Sequence, residues 1–477
     1  MASHLSKFTA FSALFALLAA QNTLSATLTI DQYLSQVEQK NQTVSSSLSA
    51  SQGASLRSSE ASLMYSPVLF AEVSYLDDHF RNALFPSSYE KLQNDTYTVG
   101  IKQKTPWGLS GALSYDVNKL GYINGVDFVT SQATDRKFYE GTPKIELSLS
   151  LWRNLMGGET QAQEQITLSQ ALSTQYSQSY QAKATRAQAE NAYVRLVSSK
   201  QLVDVYTSSL DSGQDLLNFS NRQMKLNLGE NADLLQSQAN YELQKLSLQS
   251  AQDEVRTAAR EFNRLRNIDS DVVEDALTLP SIANVTVPKR AEIRDDVRAA
   301  QENAHLAAAN AKLGSERNKP NLELYGSYAY NARNGQFGDT FKNSFNSGQQ
   351  TSLVGVRFSM PLAIGSTLDA VKGYGLERDA AETVAAQKLF DQEIEWKELV
   401  QQLNESKARY DIAARLAVIQ KKKVENERSR LKRGRSTTYQ TLTFSQDYNS
   451  SEASRIQAQT QVLSILARMK TFGDTQP

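Results

Sequence analysis

Cysteine is absent from this chain of 477 residues, which excludes a disulfide framework, a thiolate metal site and a lipid-modified N-terminal cysteine. Histidine is nearly absent: only His4, His79 and His305 occur. No Ser/His/Asp set, His-x-x-His spacing or glycine-rich phosphate loop stands in a credible context, so the sequence predicts no enzyme, no cofactor and no metal. Charge of one sign is also missing, with 51 basic residues against 51 acidic ones. Without a basic surplus the chain is no nucleic-acid binder by charge. Long apolar runs are missing beyond residue 26, so no later segment can span a bilayer as a helix. The one apolar run follows Lys7, from Phe8 to Ala20, with small residues suited to cleavage near Ala20 or Ala26. Residues 1–26 are expected to be a secretory signal peptide, since the run is short of the ~20 residues an N-terminal membrane anchor needs. An exported chain without disulfides suits a Gram-negative periplasm or outer membrane.

Proline is scarce, and its placement says more than its number. Pro67, Pro86, Pro106, Pro143, Pro280, Pro288, Pro320 and Pro361 sit in or beside short alternating or turn-rich stretches, while 144–279 and 362–476 contain none. An interior proline costs a helix roughly 3 kcal/mol. Two proline-free tracts rich in Ala, Gln, Leu, Ser, Glu and Lys therefore predict very long helices. A run of roughly 65 to 75 residues would reach on the order of 100 Å. Such lengths ask for a coiled-coil, tubular or spanning architecture.

What is present occurs twice. A helix expected from about Ile30 to Met64 ends before Pro67, and its counterpart from about Arg290 to Arg317 ends before Pro320. Each proline then opens an extended segment. Ile145, Leu147, Leu149 and Leu151 alternate with Glu146, Ser148 and Ser150; Val354, Val356, Phe358 and Met360 alternate with Gly355, Arg357 and Ser359. Period two means strand, and one apolar face opposite one polar face fits both a soluble sandwich and a transmembrane barrel. The first repeat adds Tyr97, Val99, Ile101 and Leu109, Leu113, Tyr115, Val117, joined by Thr105-Pro106-Trp107-Gly108, which reads as an extra hairpin over residues 96–118. Tyr97, Tyr115, Tyr122, Tyr139, Tyr328, Tyr330 and Trp107 fit either interfacial girdles or packed strands. Each returning strand feeds a long helix that meets a glycine, Gly229 or Gly434, at closely similar distances. Those glycines are expected to supply the left-handed residue closing each helix.

The order and spacing of these pieces resemble the TolC-like outer-membrane efflux family over nearly the whole mature chain. Leu28-Thr29-Ile30-Asp31-Gln32-Tyr33-Leu34 resembles the family's opening helix, and Arg294-Asp295-Asp296-Val297 its Arg-Pro-Asp-Leu element with Asp295 in place of proline. Leu147 to Leu155 and Phe358-Ser359-Met360-Pro361-Leu362 are similar to its two strand-to-helix junctions, and Asp233-Leu234-Leu235-Gln236-Ser237-Gln238 to the segment after its first hairpin tip. The resemblance implies a mainly α fold with β, in two internal repeats of helix, strands and long helical hairpin. The first repeat would occupy 27–268, with strands about 67–153 and a hairpin about 154–266. A connecting segment, 269–289, precedes the second repeat, 290–477, with strands about 320–361 and a hairpin about 366–470. It also implies a homotrimer that joins an outer-membrane β-barrel, bathed in lipid, to a periplasmic α-helical barrel. Four strands per protomer would give twelve in the trimer; insertion of the extra hairpin would give eighteen. Partners implied are a periplasmic adaptor (membrane fusion protein) and an inner-membrane transporter, in efflux or type I secretion.

Carried over by position, Leu228, Gly229 and Glu230 in the first tip and Arg433, Gly434 and Arg435 in the second are the adaptor-docking turns. Asp233, Gln440 and Thr443 occupy the gate positions where many family members have acids, although the first tip reads as about two residues shorter than usual. Lys421, Lys422, Lys423, Arg428, Arg430, Lys432, Arg433 and Arg435 make the end of the second long helix basic, with Glu425 and Glu427 offsetting part of that charge. That run either complements the helix dipole or makes an aperture without cation preference. The other classes to weigh are an exported structural coiled coil or surface fibre, and a general porin. The first does not explain paired strands that interrupt long helices twice at matching points, and the second does not fit a chain that is mostly helical rather than strand.

Overall fold

The computed structural model describes residues 27–79, 89–126, 133–282, 285–346 and 348–473. The expected signal peptide, 1–26, lies outside them. By contact the chain forms two units, one of Met1–Ala50, Gln178–Asp295 and Phe390–Pro477, the other of Ser51–Ser177 and Asp296–Leu389.

The absence of breakers gives two uninterrupted helices of 68 and 69 residues, α4 (Gly158–Lys225) and α8 (Ile364–Lys432). Each turns back into a shorter partner, α5 (Asn231–Leu265) and α9 (Thr438–Met469). Ahead of the first strand, the single helix expected from Ile30 to Met64 is instead three: α1 (Ile30–Lys40), α2 (Gln42–Arg57) and α3 (Glu60–Leu63). Asn41 makes the first break. Its side chain donates to Leu265 O at 2.9 Å and accepts from Val44 N at 3.1 Å, so it ends one helix and caps the next. The counterpart α6 runs Asp295–Arg317 and starts later than Arg290. The backbone before it is claimed by Gln392, which accepts from Arg294 N at 2.7 Å and donates to Glu292 O at 3.1 Å.

In the first unit the core forms where α1, α4 and α5 meet the connecting segment. Tyr33 stacks on Phe262 with ring centroids 4.0 Å apart, and its hydroxyl donates to Phe262 O. Burial pushes that phenol above its ordinary range. Tyr193, also fully buried, donates to Leu28 O at 2.7 Å, and Leu28 bridges to Leu277. Lys200 donates to Val273 O at 2.9 Å, and burial pushes its ammonium pKa down. A second cluster gathers Leu399, Leu403, Val462, Ile465, Met469 and Phe472. Away from these clusters small hydroxyl residues meet between helices, as in Ser220 with Ser237 at 2.8 Å and Ser198 with Thr460 at 2.6 Å.

In the second unit lies one antiparallel sheet: β1 (Val68–Asp78), β2 (Lys91–Lys104), β3 (Leu109–Val126), β4 (Ala133–Ser150), β5 (Asn321–Tyr330), β6 (Ala332–Asn334) and β7 (Gln350–Ser359). The order is β1-β2-β3-β4-β5-β7, with short β6 also pairing β4. Helix α7 (Phe337–Asn343) precedes β7. The extra hairpin expected over 96–118 is longer, β2 with β3, and lies inside the sheet between β1 and β4. Its turn is docked. Gly157, at φ +78, comes so close to Pro106 O that a Cβ there would clash, and Gln161 donates to Pro106 O at 3.2 Å. The turn at 105–108 therefore rests on the strand-to-helix junction at Asn154–Gly157.

Candidate functional site

The first hairpin tip is closed by Asn227, not by the glycine expected there. Asn227 has φ 53, whereas Gly229 is not in the left-handed region. Asn227 N bonds Met224 O at 3.1 Å and Leu228 N bonds Gln223 O at 2.9 Å, the paired bonds of a Schellman ending. Gly229 instead relieves crowding. A Cβ would stand 3.0 Å from Gln223 Cβ and 3.3 Å from Met224 N, against the end of the helix just completed.

At the second tip Gly434 does take the left-handed place, at φ +68, with Gly434 N to Leu431 O and Arg435 N to Arg430 O both at 2.9 Å. Each closing residue is followed three positions later by the N-cap of the return helix, Glu230 in one tip and Thr437 in the other. The two tips are thus equal in length. Asn227 corresponds to Gly434, Leu228 to Arg435, and Asp233 to Gln440.

The caps differ in quality. Thr437 accepts from Gln440 N at 3.2 Å through its hydroxyl, while the Glu230 side chain makes no capping bond. Behind the second tip Glu427 is nearly buried, its side chain 4% exposed, and it holds Arg430 at 3.2 Å and the Ser436 hydroxyl. The sequence reading counted Glu427 only as an offset to the basic run, and gave the closing role to Gly229 rather than to Asn227. The spacing back from the two N-caps would have found Asn227, and the Glu427–Arg430 interval of three marks a helical ion pair. Leu216, Leu431 and Leu442 form a small apolar cluster with Phe219, which packs the end of α8 against α4 and α9.

Leu228, Glu230, Arg433, Gly434 and Arg435 are exposed and Gly229 is half-buried. Of the gate candidates, Asp233 is half-buried in the first turn of α5, Gln440 is exposed, and Thr443 is half-buried with its hydroxyl donating to Tyr439 O at 3.1 Å. Lys423 is tied to Asp447 at 3.1 Å and lies over the Phe444 ring, so it is not part of the free basic surface.

The sheet has two chemically opposite faces. Residues paired across an antiparallel ladder share a face. Leu69, Ile101, Leu113, Ile145 and Tyr328 therefore stand in one row, and Val73, Tyr97, Val117 and Gly141 in another. On β7, Val354 and Val356 continue this face opposite Gly326 and Leu324. Leu69, Val73, Val354 and Val356 are more than 60% exposed. The other face carries Thr98, Ala112, Lys102, Glu146, Ser327, Glu323 and Arg357. Lys144 meets Glu146 at 2.8 Å there, and Ser110 bonds Ser148 at 2.7 Å. Among the girdle candidates, Tyr97 and Tyr328 are exposed on the apolar face and Trp107 at the turn, whereas Tyr115 and Tyr139 pack on the phenylalanines of α7 and Tyr122 stacks on Phe138.

Among the described residues no cluster of His, Asp and Glu is placed to hold a metal, and no helix is long and apolar enough to cross a membrane. No family model matches the sequence, and no curated protein matches it. Solved structures do. The outer-membrane channel OprN aligns with TM-score 0.63 at 15% identity, over 94% of this chain and 90% of that one. The outer membrane protein VceC of Vibrio cholerae aligns with TM-score 0.63 at 14% identity, over 93% and 96%. The MtrE outer membrane channel of Neisseria gonorrhoeae, in its open state, aligns with TM-score 0.61 at 15% identity, over 93% and 88%. With long helical hairpins, a sheet apolar on one face and polar on the other, and alignment nearly from end to end, the chain has the fold of the TolC-like outer-membrane efflux channels.

Proposed function

We propose that this protein is the outer-membrane channel subunit of a tripartite efflux or type I secretion system in a Gram-negative bacterium. It is a passive exit duct, not an enzyme. Three copies share one β-barrel in the lipid and one helical barrel in the periplasm, and an adaptor links the tips to an inner-membrane transporter that supplies the energy. The observation that carries this is the sheet's exposed apolar face opposite a face of Lys, Glu, Ser and Thr, a division suited to lipid outside and water inside. Open strand edges are not tolerated in lipid, which supports sharing the sheet among copies. The fold likeness to outer-membrane channels supports the same assignment.

The tips Leu228-Gly229-Glu230 and Arg433-Gly434-Arg435 are the docking turns. At the aperture, Asp233 and Gln440 occupy equivalent places beside a strongly basic second tip, so the channel lacks the cation preference of an acidic ring. Reversal potentials in a salt gradient test this, and clear cation preference refutes it. The docking claim is tested by photoreactive residues at Glu230 and, separately, at Arg435 in intact envelopes. Capture of a periplasmic adaptor with its transporter is expected. Crosslinks confined to copies of this chain would overturn docking at the tips and favour an exported coiled coil.

A further inference from the structure

We propose that the β2–β3 hairpin enters the membrane with its neighbours, so that each copy gives six strands and β7 of one copy pairs with β1 of the next. This rests on the channel assignment above. With three copies it closes a barrel of eighteen strands.

Four observations converge. First, the hairpin is neither appended nor at an edge: β2 pairs along all of β1, and β3 along β2 and β4. Removing it from the lipid would take β1 with it or open the sheet. Second, the hairpin follows the same division of faces as the flanking strands. Val99, Ile101 and Leu113 are 49 to 61% exposed and stand in the rows of Ala71, Leu69 and Ile145. Thr98 and Ala112 stand on the polar face, in the rows of Glu72 and Glu146. A hairpin lying in water has no need of an unbroken exposed apolar row. Third, both its ends are placed. Its turn is docked on the strand-to-helix junction through Pro106, and at the other end of the apolar face Tyr115 packs under Phe341 and Phe345. Those rings are themselves about half exposed, with Phe337 beside them, as at a lipid interface. Fourth, the edge strands match. β1 has 11 residues and β7 has 10, about what a tilted transmembrane strand needs. Six alternating strands leave these edges running in opposite directions, so β7 meets the next β1 antiparallel, as the rest of the sheet is paired.

Barrel diameter grows about linearly with strand number, so the exit would be about half again as wide as one of twelve strands. Bulkier cargo could leave through it.

Because the protein has no cysteine, single cysteines report without background. The full-length protein in cells is treated with a membrane-impermeant maleimide after Val99→Cys or Leu113→Cys on the hairpin's apolar face, and Thr98→Cys or Ala112→Cys on its polar face. Val356→Cys and Ser327→Cys serve as controls outside the hairpin. Slower labelling of all three apolar-face positions, by about tenfold or more, is expected for side chains in hydrocarbon. Fast labelling at positions 99 and 113 with protection at 356 would sink the six-strand barrel and leave a four-strand channel standing. Fast labelling at 356 as well would sink the channel assignment itself. Edge pairing is read by combining Val356→Cys with Leu69→Cys, Ala71→Cys, Val73→Cys or Tyr75→Cys under oxidation. Linked copies are expected from at least one pair, and none from any pair overturns pairing of β7 with β1.

Discussion

The two hairpin tips have one backbone and two chemistries. Both helices end in the same pair of hydrogen bonds, and both return helices have their N-cap three positions after the left-handed residue. Yet residues 222–233 hold two basic and two acidic side chains, while the equivalent 429–440 hold four basic and no acidic ones. Helix-end hydrogen bonding fixes the turn and leaves the exposed side chains free to differ. One turn geometry thus presents two unlike exposed surfaces, which the proposed function assigns to docking.

Five substitutions sharpen or break that comparison. Glu427→Ala has the largest expected effect, because it strips Arg430 and Ser436 of their partner in a site with no counterpart at the first tip. A local loss of about 1 to 3 kcal/mol is expected, seen as faster amide exchange over 425–440 with residues 220–235 unchanged. Equal loosening of both tips would show that they are not independent. Gly434→Ala forces a side chain into the left-handed region and should cost about 1 to 2 kcal/mol. If it proves neutral, Gly434 is not the closing residue. Thr437→Ala removes a side-chain cap worth about 1 kcal/mol, whereas Glu230→Ala removes none and should change little. Comparable losses from both would contradict the difference in capping. Asn227→Gly has the smallest effect, a gain below about 1 kcal/mol from relieving the left-handed strain of a side chain. Proteolysis of the folded protein at the first tip should slow slightly, and acceleration would point to a specific role for the Asn227 side chain.

What could be read from the sequence was whatever is summed over many positions. Seventy residues without a breaker commit a tract to helix however the rest packs, and the alternation around Ile145 to Leu149 and Val354 to Phe358 commits those runs to strand. What could not be read depends on single bonds between distant residues. Asn41 splits its helix because Leu265 O lies within reach, and Arg290 to Arg294 stay out of α6 because Gln392 claims their backbone. At the first tip, Asn227 and Gly229 can both adopt the left-handed conformation and lie two residues apart. Local sequence does not choose between them; the bonds to Gln223 and Met224 do. The extra hairpin was legible as a hairpin, but its place between β1 and β4 required the pairing partners to be seen.

Among the described residues, β1 and β7 stand at the two ends of the strand order, each with a strand neighbour on one side only. In the proposed channel, a copy that has not yet met its fellows is therefore a sticky intermediate, with two edges able to template contact with any extended chain. Its lifetime in that state falls as the supply of fellow subunits rises, so yield should depend steeply on expression level, with too few copies leaving stranded monomers for proteases. In the proposed closed barrel, thermal stability would likewise belong to the assembly and have no fixed value for the single chain.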